Sequence, residues 1–188
     1  MILGFDIDDV IFKTSEIVKN NIDKSQDEEL LKHKLDIMRG DAVNEKVGKF
    51  LKDNVIPTIK ATKPMENVSE VIKDFRKQGD TIILITARGD GGFPGSEEIS
   101  EKRLEKYGIE YDSIIYDCKD KAKACKEHDV EFFIDDSPKH CLEVSQKLGI
   151  SVIGFESDIN KEEMEKNHIK CVNSWNEIAE IVKNVKNG

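Results

Sequence analysis

Three short polar clusters stand directly behind apolar runs, and their residue types suit phosphate chemistry. Asp6, Asp8 and Asp9 follow Ile2-Leu3-Gly4-Phe5. Thr86-Ala87-Arg88 follows Thr81-Ile82-Ile83-Leu84-Ile85, and Asp135-Asp136-Ser137 follows the stretch from Val130 to Ile134. Carboxylates brought close together repel and raise each other's pKa unless a cation sits among them. Hard oxygen donors favour Mg²⁺, which keeps several waters and is completed by substrate phosphate. A threonine hydroxyl with the amides after it can form a nest for phosphoryl oxygens. Each acidic run taken alone is equally explained by helix capping or turn solvation, and a threonine ending a strand is common. Two acidic runs closing two buried strands favour the metal-and-phosphate reading.

The elements that must position these residues alternate between strands and helices. Apolar runs at Ile2–Phe5, Thr81–Ile85, Ser113–Tyr116, Val130–Ile134 and Ile150–Phe155 read as buried strands. Between them lie helical segments. One opens near Asn67 and stops at Gly79. The next runs from an N-cap at Ser96 to Gly108. A third spans about Asp120 to His128, and a fourth, capped by Ser137 with Pro138 at its first position, stops at Gly149. Ser174-x-x-Glu177 is a capping box opening a final helix with Trp175, Ile178, Ile181 and Val182 on its apolar face. Fully apolar strands alternating with helices predict a parallel sheet covered on both faces, with ligands at the carboxyl ends of the strands. The first crossover is far longer than the others. Its helical stretch, roughly 14–54, has helix ends around Asn20–Ser25 and at Gly40-Asp41, and Pro57 and Pro64 bracket a connection back to the sheet. Part of this crossover must stand off the sheet as an insertion.

Composition excludes several classes of function. The 188 residues carry 29 Lys+Arg against 38 Asp+Glu, a formal net charge of −9 that repels nucleic-acid backbones and anionic lipid surfaces. No apolar stretch is long enough for a membrane helix, and Asp6 comes too early for a signal peptide, so a cytoplasmic protein is expected. Cys118, Cys125, Cys141 and Cys171 show neither a CxxC pair nor zinc spacing, and read as reduced thiols packed as small apolar groups.

The order Asp6-x-Asp8-x-Val10, Thr86 behind a hydrophobic strand, a lysine, then Asp135-Asp136 resembles the haloacid dehalogenase-like (HAD) phosphohydrolases. Ile85-Thr86-Ala87-Arg88, Ile134-Asp135-Asp136-Ser137-Pro138 and the Lys121-x3-Cys125 segment resemble the small 5′-nucleotidase and 5′(3′)-deoxyribonucleotidase branch of that superfamily. The resemblance implies an α/β, Rossmann-like parallel sheet with helices on both faces and a small helical cap inserted after the first strand. Residues 1–12 and 65–188 would form the core, and 13–64 the cap.

It also implies a Mg²⁺-dependent phosphomonoester hydrolase that works through an aspartyl-phosphate on Asp6. Asp8 would be general acid and then base, with a pKa lifted by its setting. Mg²⁺ would be held by Asp6, the backbone carbonyl of Asp8, Asp136 and Asp135. Thr86, Ala87, Arg88 and a lysine would hold the phosphoryl group. Asp120 as N-cap and the family spacing select Lys121, with Lys119 and Lys123 as alternatives. The implied partner is a small phosphorylated metabolite such as a nucleoside monophosphate, with no nucleic-acid polymer and no membrane. The alternatives are a phosphatase for another small metabolite such as a sugar phosphate, and a non-catalytic phosphate-binding relative. The intact Asp8 acid favours ester cleavage over carbon–halogen chemistry.

Asp9 occupies a position often held by glycine in such motifs, which an aspartate tolerant of left-handed backbone can fill. Arg88 has a competing reading as the partner of a surface carboxylate. Phe12 and Phe50 are the aromatic residues available to stack a base in the cap, though either could be core. Lys13, Lys34 and Arg39 could contact a polar leaving group. The Gly89–Gly95 loop lies beside Thr86, and Glu156–His168 carries no recognisable chemistry.

Overall fold

The computed structural model describes residues 1–187. Six strands form one parallel sheet: β1 (Ile2–Phe5), β2 (Thr81–Ile85), β3 (Ser113–Ile115), β4 (Phe132–Asp135), β5 (Ser151–Phe155) and β6 (Cys171–Val172), in spatial order β3-β2-β1-β4-β5-β6. The register sets Phe5 beside Leu84 on one side and Ile134 on the other. Asp6, Thr86 and Asp135 therefore leave three adjacent strands at one rim. This rim lies where the chain order reverses about β1, the place where open α/β sheets bind ligands.

Side-chain alternation divides the core between two faces. Leu3, Phe5, Ile82, Leu84, Phe132 and Ile134 pack on one face, against Ile72 and Phe75 of α5 (Val68–Lys77), Leu104 of α6 (Ser96–Lys106), and Trp175, Ile178 and Val182 of α10 (Trp175–Asn187). On the other face Ile83, Ile85 and Phe133 meet Ala122 and Cys125 of α7 (Lys121–Glu127) and Val144 of α8 (Pro138–Leu148). The covered parallel sheet is the expected architecture, and the Ser174–Glu177 capping box forms.

The first crossover carries α1 (Thr14–Ser25), α2 (Glu28–Lys32), α3 (Lys34–Met38) and α4 (Glu45–Ala61), which share a small cluster of Ile22, Leu30, Ile37 and Val47. Its two connecting segments lie side by side: Lys13 N–H donates to Lys63 O and Met65 N–H to Ile11 O, around a Phe12–Pro64 bridge.

Two local expectations, at Pro57 and Ser96, are corrected. Pro57 does not bracket a connection but lies within α4, which runs on to Ala61. Proline there loses its own N–H bond and crowds the carbonyl four residues before it, and burial of Thr58 and Ile59 sustains the last turn. Ser96 is not the N-cap of α6 but its first residue, fully buried, with Gly95 at φ 85° before it. Asp90, from the glycine-rich loop, supplies the cap by accepting from Glu97 N–H at 3.2 Å. The Glu156–His168 segment holds α9 (Lys161–Lys166), and β6 follows it, both too short for a periodic pattern to reveal.

Candidate active site

Asp6 continues the pairing of β1, donating its N–H to Ile134 O at 2.9 Å, so its carboxyl is fixed by the sheet itself. The chain then turns sharply. Asp9 takes φ 52°, and the N–H groups of Ile11 and Phe12 both reach back to Ile7 O. Trp175 fastens the turn from α10, donating Nε1–H to Val10 O at 2.8 Å while its ring lies 5.0 Å from Phe5. The Asp9 carboxylate accepts from Ser15 N–H at 3.0 Å and Ser15 Oγ–H at 2.9 Å, so it caps α1 from outside the helix. Asp9 thus fills the left-handed position and joins the turn to the insertion.

Lys121 opens α7 behind the N-cap Asp120, whose carboxylate accepts from Lys123 N–H. Its ammonium is 1 % exposed and lies 2.6 Å from Asp6 Oδ1 and 2.8 Å from Asp135 Oδ2. Lys119 is exposed, and Lys123 is exposed and pairs with Glu127, so neither alternative lysine reaches this rim. Thr86 is fully buried at the end of β2, and its Oγ1 accepts from Arg88 N–H at 3.1 Å, leaving its own hydrogen to donate. Ala87 is exposed beside it.

Arg88 departs from its expected role. Its Nε donates to Asp8 Oδ2 at 2.9 Å and its Nη2 to Asp8 Oδ1 at 2.5 Å. Its fork faces Asp8 rather than open space for a phosphate, and the partner is a rim carboxylate rather than a surface one.

The second acidic pair is held by groups not apparent from sequence. Ser137 N–H donates to Asp135 Oδ1 at 2.8 Å, and His140 Nδ1 lies 3.3 Å from the same oxygen. Asn160, 4 % exposed, donates its Nδ2 hydrogens to Asp136 O at 2.7 Å and Phe155 O at 2.9 Å. An amide residue in a tail without a motif gave no signal.

Oxygens of Asp6, Asp135 and Asp136 lie within 4.8 Å of one another. Burial pushes the Asp6 carboxyl up to about 7, against the pull of Lys121 and with help from Asp135 and Asp8. Burial, Asp135, Asp9 and Asp6 together raise Asp136 well above the carboxylate range. Asp135 Oδ2 is buried without an aligned hydrogen bond. Three hard donors, two of them with pKa values raised by burial and by neighbouring carboxylates, fit a divalent cation. At Asp8 the expected lift is overturned: burial works to raise its pKa, but the Arg88 charge and hydrogen bonds, with Thr14, outweigh it and hold the group low.

Four of the five aromatic and basic candidates are engaged elsewhere, Lys13 being the exception. Phe12 is fully buried in the main core, 6.1 Å from Tyr107, and Phe50 packs on the cluster of the four helices. Lys34 pairs with Asp23, Lys13 precedes α1, and Arg39 crosses to the core, donating to Ile159 O at 2.8 Å.

A family model described as "Protein of unknown function (DUF2608)" matches residues 1–131. A Bacillus subtilis protein named "Putative nucleotidase YqfW" is 29% identical over 114 residues, 60% of this chain and 56% of that protein. A Halalkalibacterium halodurans protein named "Putative nucleotidase BH1399" is 24% identical over 135 residues, 71% of this chain and 66% of that protein. The matched regions thus span between half and two thirds of these relatives' lengths. A crystal structure titled as a predicted phosphatase from Clostridium acetobutylicum superposes with a TM-score of 0.68 at 17% identity, covering 97% of this chain and 98% of that one. No helix among the described residues is long and apolar enough to cross a membrane. The fold is that of the HAD-like superfamily, and the chain belongs to the DUF2608 family.

Proposed function

We propose that this chain is a Mg²⁺-dependent phosphomonoester hydrolase that forms an aspartyl-phosphate on Asp6, with a nucleoside monophosphate as its substrate class. The observation that carries this reading is the contact of Lys121 with both Asp6 and Asp135 at the ends of adjacent strands, beside Thr86. Asp6, Asp136, Asp135 and the Asp8 carbonyl would hold the cation, which when bound draws negative charge from the phosphoryl oxygens.

Lys121 offsets charge between two anions that must meet, the Asp6 carboxylate and the phosphoryl group. Thr86 donates its hydroxyl hydrogen to a phosphoryl oxygen, with the Ala87 amide beside it. A carboxylate oxygen of Asp6 attacks phosphorus, and the bond from phosphorus to the ester oxygen breaks. Asp8 delivers a proton to that leaving oxygen. Because Arg88 holds Asp8 as the carboxylate between turnovers, this proton enters with the ester, as its monoanion. Water then attacks phosphorus, Asp8 takes the water proton, and the bond to Asp6 breaks to release phosphate.

Residues 13–64 act as a cap that excludes water and selects the leaving group. The relatives' names support a nucleotide. A second reading, another small phosphorylated metabolite such as a sugar phosphate, is favoured by the full burial of Phe12 and by the packing of the partly buried Phe50 on the helix cluster, which engage both aromatic candidates. Phosphate release from a panel of nucleoside monophosphates and sugar phosphates, with Mg²⁺ and with EDTA and with Asp6→Asn as the blank, tests both. Metal-dependent release confined to nucleotides is expected; no preference for nucleotides would replace the first reading with the second.

A further inference from the structure

We propose that Arg88 is the positioning residue of Asp8, clamping its carboxyl from the protein interior so that the opposite face is presented to the leaving oxygen. The proposal rests on the phosphohydrolase reading above.

The geometry carries the argument. Arg88 is 5% exposed at its side chain while Asp8 is 33% exposed, so the guanidinium stands behind the carboxyl. Two parallel N–H groups meet the two carboxyl oxygens, an arrangement that fixes both distance and orientation. The guanidinium is itself held: Nη1 donates to Ser100 Oγ at 3.2 Å, on the buried face of α6, and Nη2 to Thr14 Oγ1 at 3.2 Å. Four of its five N–H directions are thereby used on protein groups. Its backbone N–H orients Thr86 Oγ1 at the same time, so one residue aligns the phosphoryl-holding hydroxyl and the proton-transferring carboxyl. A lysine could not reproduce this, since an ammonium is a point charge without a planar fork.

The distinguishing readout is dependence on the leaving group. A nitrophenolate departs without a proton, whereas an alkoxide needs one in the transition state. The ratio kcat/KM reports all steps through departure of the leaving group, so it isolates this proton transfer from later hydrolysis. In Arg88→Met, kcat/KM for an alkyl phosphate such as the best substrate of the panel should fall about 100-fold, the size of a general-acid contribution. The value for p-nitrophenyl phosphate should fall by only a few-fold. Arg88→Lys should recover little of the loss. Ser100→Ala keeps the charge pair but frees the Nη1 side of the guanidinium that steadies the clamp, so it should show the same selective loss at smaller size, and it decides the matter if Arg88→Met does not fold.

An equal fall for both substrates, or a rise in KM alone, would assign Arg88 to phosphate binding and overturn the proposal while the hydrolase reading stands. Wild-type protein that releases no phosphate from any ester would instead remove that reading, and this proposal with it.

Discussion

The ammonium of Lys121 lies 2.6 Å from Oδ1 of Asp6, although 115 residues separate them in sequence. Both are buried, and burial alone would drive the lysine pKa down and the aspartate pKa up; the charges of Asp135 and Asp6 outweigh burial at the lysine and raise it. Removing one partner leaves buried charge uncompensated. Lys121→Met should therefore cost about 3–5 kcal/mol of metal-free stability, read from urea unfolding. It should also lower turnover about 100- to 1000-fold, read from phosphate release. A loss of activity without loss of stability would show that the lysine is not structurally coupled to the acidic pair.

The carboxyl crowding gives a pH dependence of definite sign. Asp6 is raised from 3.8 to about 7, Asp9 to about 6, and Asp136 also moves up, each through burial first. The folded protein therefore binds more protons than the unfolded chain between about pH 4 and 7, and metal-free stability falls as pH rises through that window. Asp8 and Asp135 are held low and contribute the opposite slope below about pH 4. The metal-free protein should melt at a higher temperature at about pH 5 than at about pH 7.5. Mg²⁺ should raise the melting temperature more at the higher pH, because it replaces those protons. Equal Mg²⁺ shifts at both pH values in a thermal melt would contradict the cation site.

Asp9 combines a left-handed backbone with a capping carboxylate, so its substitutions separate the two. Asp9→Asn keeps an acceptor for Ser15 and removes a partly buried charge, and should leave stability near that of the wild type. Asp9→Ala loses the cap and places a Cβ residue less suited to φ 52°, and should cost about 1–3 kcal/mol. Chemical denaturation of the two variants checks the difference.

The glycine-rich loop folds over Asp117. A Cβ on Gly89 would come 2.2 Å from the Asp117 carboxyl carbon, and the Asp117 carboxylate accepts from Gly91 N–H at 3.0 Å. Gly89→Ala should destabilise by about 1 kcal/mol, because the exposed Asp117 carboxylate must turn aside and give up its bond from Gly91 N–H. Paired with Asp117→Ala, the same change should cost far less, since the clash is with that side chain. A double-mutant cycle with no coupling would place the loop's constraint elsewhere.

How much was legible in the sequence follows from how local each signal is. Asp6, Thr86 and Asp135 were visible because each closes an uninterrupted apolar run, and strand order does the rest. Lys121 was legible through its N-cap, Asp120. The partner of Arg88 was not, because Asp8 lies 80 residues away and only the adjacency of β1 and β2 joins them. That contact also reversed the expected direction of the Asp8 pKa. Asn160 and Trp175 support the site by hydrogen bonds to backbone carbonyls, which leave no spacing pattern to read. Pro57 misled because propensity was set against tertiary packing, and packing prevailed.

The most direct test of the account is the chemical identity of the phosphorylated residue. Asp8→Asn protein, in which hydrolysis of the intermediate is slowed, would be mixed with the best ester and Mg²⁺, quenched in acid and digested at low pH for tandem mass spectrometry. The account predicts a phosphoryl group on Asp6, absent when Asp6 is replaced by Asn. Phosphate release by the wild type with the phosphoryl group on another residue, or on none, would contradict it.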